Sequence, residues 1–175
     1  MTTIGQRPIE LFAVTPHDWK QFEPTILQLE RENFAPGLRE QPADLRALIE
    51  SATSIVIGVR TEDGVLGGYI ASDVLERFGD VPGIQDDPHW GHRDTHYIAS
   101  VVVRPSLRHR GIATALTRQC VRAACQRGFR RVTAHMEAGA ARKIDDRTRA
   151  LGSYPDWYGT GRVFEYIVLP LSVAG

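Results

Sequence analysis

Apolar positions along the chain recur at two spacings, and the switches between them mark the elements. Pro8 to Val14 (P-I-E-L-F-A-V) reads as a first strand. Thr15-Pro16-His17-Asp18 has the make-up of a helix start, with Thr15 as N-cap and Pro16 in the first turn. Trp19, Phe22, Ile26, Leu27, Leu29 and Glu30 follow on that helix, and Phe34-Ala35-Pro36-Gly37 breaks it. A second, short helix is predicted over 42–51, with Leu45, Leu48 and Ile49 on one face. Residues 54–60 read as a strand, Glu62-Asp63-Gly64 as a hairpin turn, and 65–75 as the returning strand. Gly67-Gly68 inside it signals a bulge or a close backbone approach.

Residues 76–95 are rich in Gly, Pro, Asp and His and predict a long loop, uncommon in a compact domain unless functional or mobile. The run Ile98, Val101, Val102, Val103 then predicts a buried strand, which Pro105 ends. Ile112, Ala113, Ala115, Leu116, Cys120 and Val121 recur at helical spacing up to a C-cap at Gly128. Beyond it, 131–136 reads as a strand, 138–151 as a short helix, 154–161 as an aromatic turn and 162–169 as a closing strand. The resulting order, β-α-α-β-β-β-α-β-α-β, places the chain in the α/β class as a single domain over residues 1–175. Ligands of open α/β sheets bind at strand carboxyl ends, and the turn after Val103 lies at such an end.

That turn is the most informative stretch. A strand feeds the basic turn Arg108-His109-Arg110-Gly111, and a helix starts directly after it. A helix start offers unpaired N–H groups and the positive end of its dipole, which suits phosphate. Gly111 keeps no side chain between a ligand and the backbone, and the two arginines add forked donors. The stretch resembles the acetyl-CoA motif of the GNAT N-acetyltransferases, Arg/Gln-x-x-Gly-x-Gly/Ala after a V-x-P strand end. Arg108, Gly111 and Ala113 fill its places, with Val103 and Pro105 upstream. The resemblance implies a twisted, mostly antiparallel sheet with one splayed strand pair, flanked by helices. It implies acetyl-CoA as acyl donor and an amine as acceptor. The pyrophosphate would lie over Arg108, His109, Arg110, Gly111, Ile112, Ala113 and Thr114, and the pantetheine would pair with the backbone of Val101, Val102 and Val103. Folds of this type often pair through their last strands, so a homodimer stays open.

Charge narrows the partners. Lys+Arg and Asp+Glu are both 21, so wholesale nucleic-acid binding has no global electrostatic support. The cations are nearly all arginine, Lys20 and Lys143 being the two lysines. No apolar segment is long enough to span a bilayer, and no secretory leader is apparent. Cys120 and Cys125 point about 140° apart on a helix, so reduced thiols and a cytoplasmic location are expected.

Acyl transfer to an amine needs the nitrogen neutral, and a lysine-type amine has a pKa of about 10.4. A base or a desolvating site must therefore remove a proton. Many members of the family carry a glutamate where this chain has Ala99. Many also carry a tyrosine at a position that, counted back from Gly152, is Thr148 here. Neither usual side chain transfers. The substitutes are His96 as base, Glu137 after the next strand, and Tyr158 or Tyr154 as acid, with Asp73 and Glu76 as carboxylates to order an amine. His89, His92 and His96 (H-W-G-H-R-D-T-H) lie in or beside the loop without a cysteine, and no metal is expected from them. The missing side chains keep a second reading open, a non-catalytic acyl-CoA binding or sensing module.

Overall fold

The computed structural model describes residues 2–4 and 7–171. In chain order its regular elements are β1 (Thr2–Ile4), β2 (Arg7–Ala13), α1 (Trp19–Asn33), α2 (Pro42–Glu50), β3 (Ile55–Arg60), β4 (Leu66–Val74), β5 (Thr95–Val103), α3 (Ile112–Gln126), β6 (Arg131–Glu137), β7 (Arg149–Tyr154) and β8 (Phe164–Leu169). They form a mixed sheet flanked by helices, the α/β architecture expected. The chain divides into two compact units, Met1–Ala71 with Ser100–Cys120 and Ser72–Ala99 with Val121–Gly175. β4, β5 and α3 each run from one unit into the other.

In the first unit the strand order is β1-β2-β3-β4-β5. β2 runs antiparallel to β1 and to β3, with Glu10 opposite Arg60 and Ala13 opposite Ile57. The helix start at Thr15 takes a particular form. A 3-10 turn, Pro16–Asp18, precedes α1, and the Asp18 carboxylate accepts from the Thr15 amide at 2.7 Å. α1 then buries Trp19, Phe22, Ile26 and Leu29, the 3.6-residue stripe that its spacing predicts. Ile26 and Leu29 are fully enclosed, and burial of this kind stabilises by about 1.5–3 kcal/mol per side chain. Gly68 is a close approach: a Cβ there would sit 2.5 Å from the Val102 carbonyl oxygen of β5.

In the second unit the order is β4-β5-β6-β8-β7. β5 and β6 pair in parallel from Thr95–Arg131 to Ile98–Ala134, and the register stops there. β8 lies antiparallel to both β6 and β7.

One expectation is corrected here and another is given detail. Residues 138–151 do not form a helix. Gly139 takes a left-handed φ of 80°, one 3-10 turn follows at Ala141–Lys143, and the chain leaves as strand β7. A single turn cannot offset the cost of helix nucleation, whereas Arg149–Tyr154 finds a partner in β8. Residues 76–94 are a loop without strands, as expected, and the loop is ordered by turns. After a 3-10 turn at Leu75–Phe78, the amides of Val81, Ile84, Asp87 and Trp90 each donate to the carbonyl three residues earlier, which makes a ladder of turns. Ile84 anchors that ladder, fully buried with Leu75, Tyr97 and Tyr166.

Candidate functional site

In the first unit β5 ends in a rigid turn. The Arg104 amide donates to the Gly67 carbonyl at 2.9 Å, and the Arg104 guanidinium reaches the Leu66 carbonyl. A 3-10 turn at Pro105–Leu107 follows, closed by Leu107 and Arg108 amides donating backwards. Leu107 packs into space left at Gly67, where a Cβ would meet its Cδ1 at 2.6 Å. His109 and Gly111 are both left-handed, at φ 61° and 75°. Left-handed residues in such turns curl successive amides into anion-binding concavities. The Gly111 carbonyl accepts from the Ala115 amide, so Gly111 caps α3. The amides of Gly111, Ile112, Ala113 and Thr114 therefore have no partner inside the helix. Ile112 anchors the turn in the core, while Gly111 and Ala113 face solvent. Arg108 donates to the neutral Asn33 amide oxygen at 2.8 Å, which leaves its charge uncompensated. Donors, dipole and charge here fit a diphosphate. Val102 and Val103 are buried and Val101 is half-buried.

The same unit holds a carboxylate that the periodicity hid. Glu30 lies on the apolar stripe of α1, 2 % exposed. It accepts from the Tyr69 hydroxyl at 2.5 Å, from Ser100 of β5 at 3.3 Å and from the Glu40 amide at 3.0 Å. Burial, and then the Glu30 charge, pushes the Tyr69 phenol well above its usual range. Burial with Glu30 and Asp44 nearby also raises the Glu40 carboxyl. The network ties β5 to the segment between α1 and α2.

In the second unit the sheet carries an aromatic cluster centred on His135 of β6. Its imidazole stacks between Trp157 at 4.3 Å and Tyr166 at 4.8 Å, with Tyr154 edge-on at 5.1 Å. The Tyr97 hydroxyl and Nδ1 of His135 are 3.1 Å apart. Burial drives the His135 pKa down to about 4, so the ring is neutral at physiological pH. Beneath it Asp87, buried, is held by Arg131 at 2.7 Å, the Tyr166 hydroxyl at 2.6 Å and the His89 amide at 2.7 Å. Burial alone would raise the Asp87 carboxyl, and those three donors outweigh it and hold it low. Burial and the Asp87 charge in turn raise the Tyr166 phenol. Sequence reasoning missed His135 and Asp87. The one available signal was the alternation of Arg131, Thr133, His135 and Glu137 with the apolar Val132, Ala134 and Met136.

The chemical candidates divide between the two ends of this unit. His96 is fully buried at the start of β5, with Nδ1 3.0 Å from Ser72 Oγ and its ring edge-on to Phe129. A base must meet its substrate, so the geometry moves His96 from the candidate site into the core. It pairs in register with Val132, five residues before Glu137, about 16 Å of strand. Glu137 ends β6, past the point where pairing with β5 stops, with a half-exposed side chain 3.6 Å from Arg162. Tyr158 lies at this same end. Its ring is edge-on to Trp157, and Trp157 stacks on Phe164, the register partner of Glu137. Tyr158 is 54 % exposed and sits at φ 48°, next but one to Asp156 at φ 55°. Two non-glycine residues in this region store backbone strain.

The other expected candidates have structural roles. The Tyr154 hydroxyl fills the space over Gly83, where a Cβ would lie 1.7 Å from it. Asp73 is buried against Arg77, and Glu76 accepts from the amides of Gly91 and Arg93. Ala99 packs on the aromatic cluster. Counting back to Thr148 assumed a helix that is absent, so no tyrosine position follows from it. Cys120 and Cys125 form no disulfide. Among the described residues no helix is long and apolar enough to cross a membrane.

The sequence profile of the acetyltransferase (GNAT) family matches residues 18–145. No curated protein sequence matches the chain. Among solved structures, the ribosomal-protein-S18-alanine N-acetyltransferase from Escherichia coli superposes with a TM-score of 0.68 at 13% identity, covering 96% of this chain and 97% of that one. Arabidopsis thaliana NAA60 in complex with acetyl-CoA gives 0.68 at 18% identity, over 93% and 99%. The structure of yncA from Salmonella typhimurium with its cofactor acetyl-CoA gives 0.66 at 16% identity, over 96% of each chain. At these identities the likeness speaks for the fold.

Proposed function

Because the chain belongs to the acetyltransferase (GNAT) family, we propose that it moves an acetyl group from acetyl-CoA to a primary amine of a small molecule or peptide. The observation that carries this reading is the exposed left-handed turn at Gly111, directly after β5 and directly before α3. On this reading the amides of Gly111 to Thr114 hold the diphosphate, and Arg108 and Arg110 supply positive charge. His109 contributes its left-handed backbone. The β5 backbone from Val101 to Val103 lies beyond its last register partner on β6 and would receive the pantetheine as an added strand.

The amine must shed a proton before its nitrogen forms the C–N bond and the thioester C–S bond breaks. His135 is a poor acceptor for that proton: with a pKa of about 4, charging it at pH 7 costs about 4 kcal/mol. It serves instead as a neutral hydrogen-bond partner that holds Tyr97. We assign the proton to Glu137, directly or through water, and the proton on the departing sulfur to Tyr158. CoA release measured across a panel of amines tests both roles. Glu137→Gln and Tyr158→Phe should each lower kcat about 10²-fold or more, with acetyl-CoA affinity unchanged in both. Equal turnover in either variant would remove that assignment. A second reading rests on Ala99, a methyl where many family members carry a carboxylate. Tight acetyl-CoA binding with no turnover on any amine would favour a sensing module. The two reduced cysteines accord with a cytoplasmic setting.

A further inference from the structure

We propose that the last turns before β5 form a binding site for a borderline divalent metal of the zinc type, with His89, His92 and Asp94 as ligands. The sequence spacing alone pointed away from metal, because it included His96 and offered no cysteine. Folding removes His96 to the core and brings a different triplet together. One ligand atom from each of His89, His92 and Asp94 lies within 4.8 Å of the others. Nδ1 of His89 is 3.2 Å from both Asp94 oxygens, and the two imidazole centroids are 5.5 Å apart. Ligands of a tetrahedral zinc stand about 3.3 Å from one another, given metal–ligand bonds of about 2.0 Å. The His89–Asp94 pair already has that spacing, and His92, which is exposed, needs a side-chain rotation to join it.

The backbone bearing these ligands is held in place by residues that do not ligate. The Asp87 carboxylate fixes the His89 amide, and Glu76 accepts from the amides of both Gly91 and Arg93 at 3.0 and 2.8 Å. The His92 amide closes a turn onto the His89 carbonyl. Gly91 at φ 86° and Arg93 at φ 54° are both left-handed, and a non-glycine residue held there is a strained position. Asp94 is oriented by Thr95 Oγ1 at 3.0 Å, and its carbonyl accepts from the Arg130 amide. Outer contacts of this kind are what orient ligands in metal sites. Two imidazoles and one carboxylate suit zinc, nickel or copper over magnesium or calcium, and they leave a fourth position for water.

Nearby positive charge bounds the affinity. His89 also borders a pocket lined by Arg130, Arg131, Arg147 and Arg149. Arg131 and Arg147 are paired with Asp87 and Asp145. Arg130 and Arg149 remain as positive charge near the site, which favours moderate rather than tight binding. The site lies at the opposite end of the β5–β6 pair from Glu137, so the metal would clamp the turn ladder rather than enter the transfer reaction.

The test is calorimetric titration of Zn²⁺ into the tag-free protein in a non-coordinating buffer, with visible absorption of Co²⁺ as a second readout. One Zn²⁺ should bind per chain and raise the melting temperature, and Co²⁺ should develop the absorption of a tetrahedral site. His92→Ala, whose side chain is exposed, should keep the metal-free melting temperature while weakening Zn²⁺ binding at least tenfold. Asp94→Asn should weaken it as well. His17→Ala should bind like the parent. Absence of Zn²⁺ binding, or binding that survives His92→Ala and Asp94→Asn, overturns the proposal.

Discussion

The turn at 104–114 and the aromatic cluster around His135 are built on opposite principles. The turn is a main-chain construction: contiguous in sequence, solvent-facing, and dependent on backbone angles at His109 and Gly111. The cluster is a side-chain construction. Residues from Asp87 to Tyr166 meet in it, joined by the hydrogen bonds of Arg131 and the Tyr166 hydroxyl to Asp87 and by the Tyr97–His135 contact. A main-chain site tolerates changes of side chain and fails on changes of backbone, whereas a buried side-chain network fails when one member is removed.

The largest expected effect lies in the cluster. Arg131→Ala should destabilise the protein by about 3–5 kcal/mol in chemical denaturation, because it strands the buried Asp87 carboxylate. Asp87→Leu combined with Arg131→Met should recover part of that loss, since it leaves no orphaned charge, although the Tyr166 hydroxyl and the His89 amide lose their acceptor. Equal instability of the double variant would mean that those lost hydrogen bonds and packing, not charge, set the cost.

Acid should attack the same region. His135 has a folded pKa of about 4 against an ordinary value near 6.5. The unfolded chain takes up the proton first, so the contribution is complete above pH 6.5 and is lost as pH falls toward 4. It amounts to about 3 kcal/mol. Denaturation midpoints of the parent and His135→Gln at pH 7.5 and pH 4.5 measure it, and the parent should lose more stability on acidification. Parallel losses would place the titrating group elsewhere.

The contrast also explains what could be read from the sequence. The turn, its helix and the strand before it were legible because a short continuous stretch encodes them: β-branched residues, Pro105, the basic glycine turn and the α3 stripe. The cluster was not, because no local pattern announces that Asp87, Arg131 and Tyr166 will meet. The error at 138–151 has the same origin. Ala138 to Lys143 has helical propensity, and only the presence of β8 beside it decides for a strand at Arg149–Tyr154. Glu30 was visible as a helical position but not as a charge, since periodicity reports the face and not the partner.

Gly111→Asp should weaken acetyl-CoA binding by about 2–3 kcal/mol in calorimetry, of which about 1–2 is left-handed strain and the remainder charge repulsion. Gly111→Ala isolates the strain. If Gly111→Asp and Gly111→Ala bind equally, no anion sits against this backbone.

The smallest effect sharpens the comparison most. Arg108 is exposed and reaches Asn33, so on the proposed reading its charge would act on a phosphate through water and salt rather than through a buried pair. Arg108→Gln keeps a hydrogen-bonding side chain and leaves the backbone of the turn as it is. If the main chain supplies most of the affinity, this variant should weaken acetyl-CoA binding by only about 0.3–1 kcal/mol at low salt, and less as salt is raised. A loss equal to that of Gly111→Asp would invert the argument. The guanidinium would then be the anchor, and the left-handed turn merely the means of presenting it.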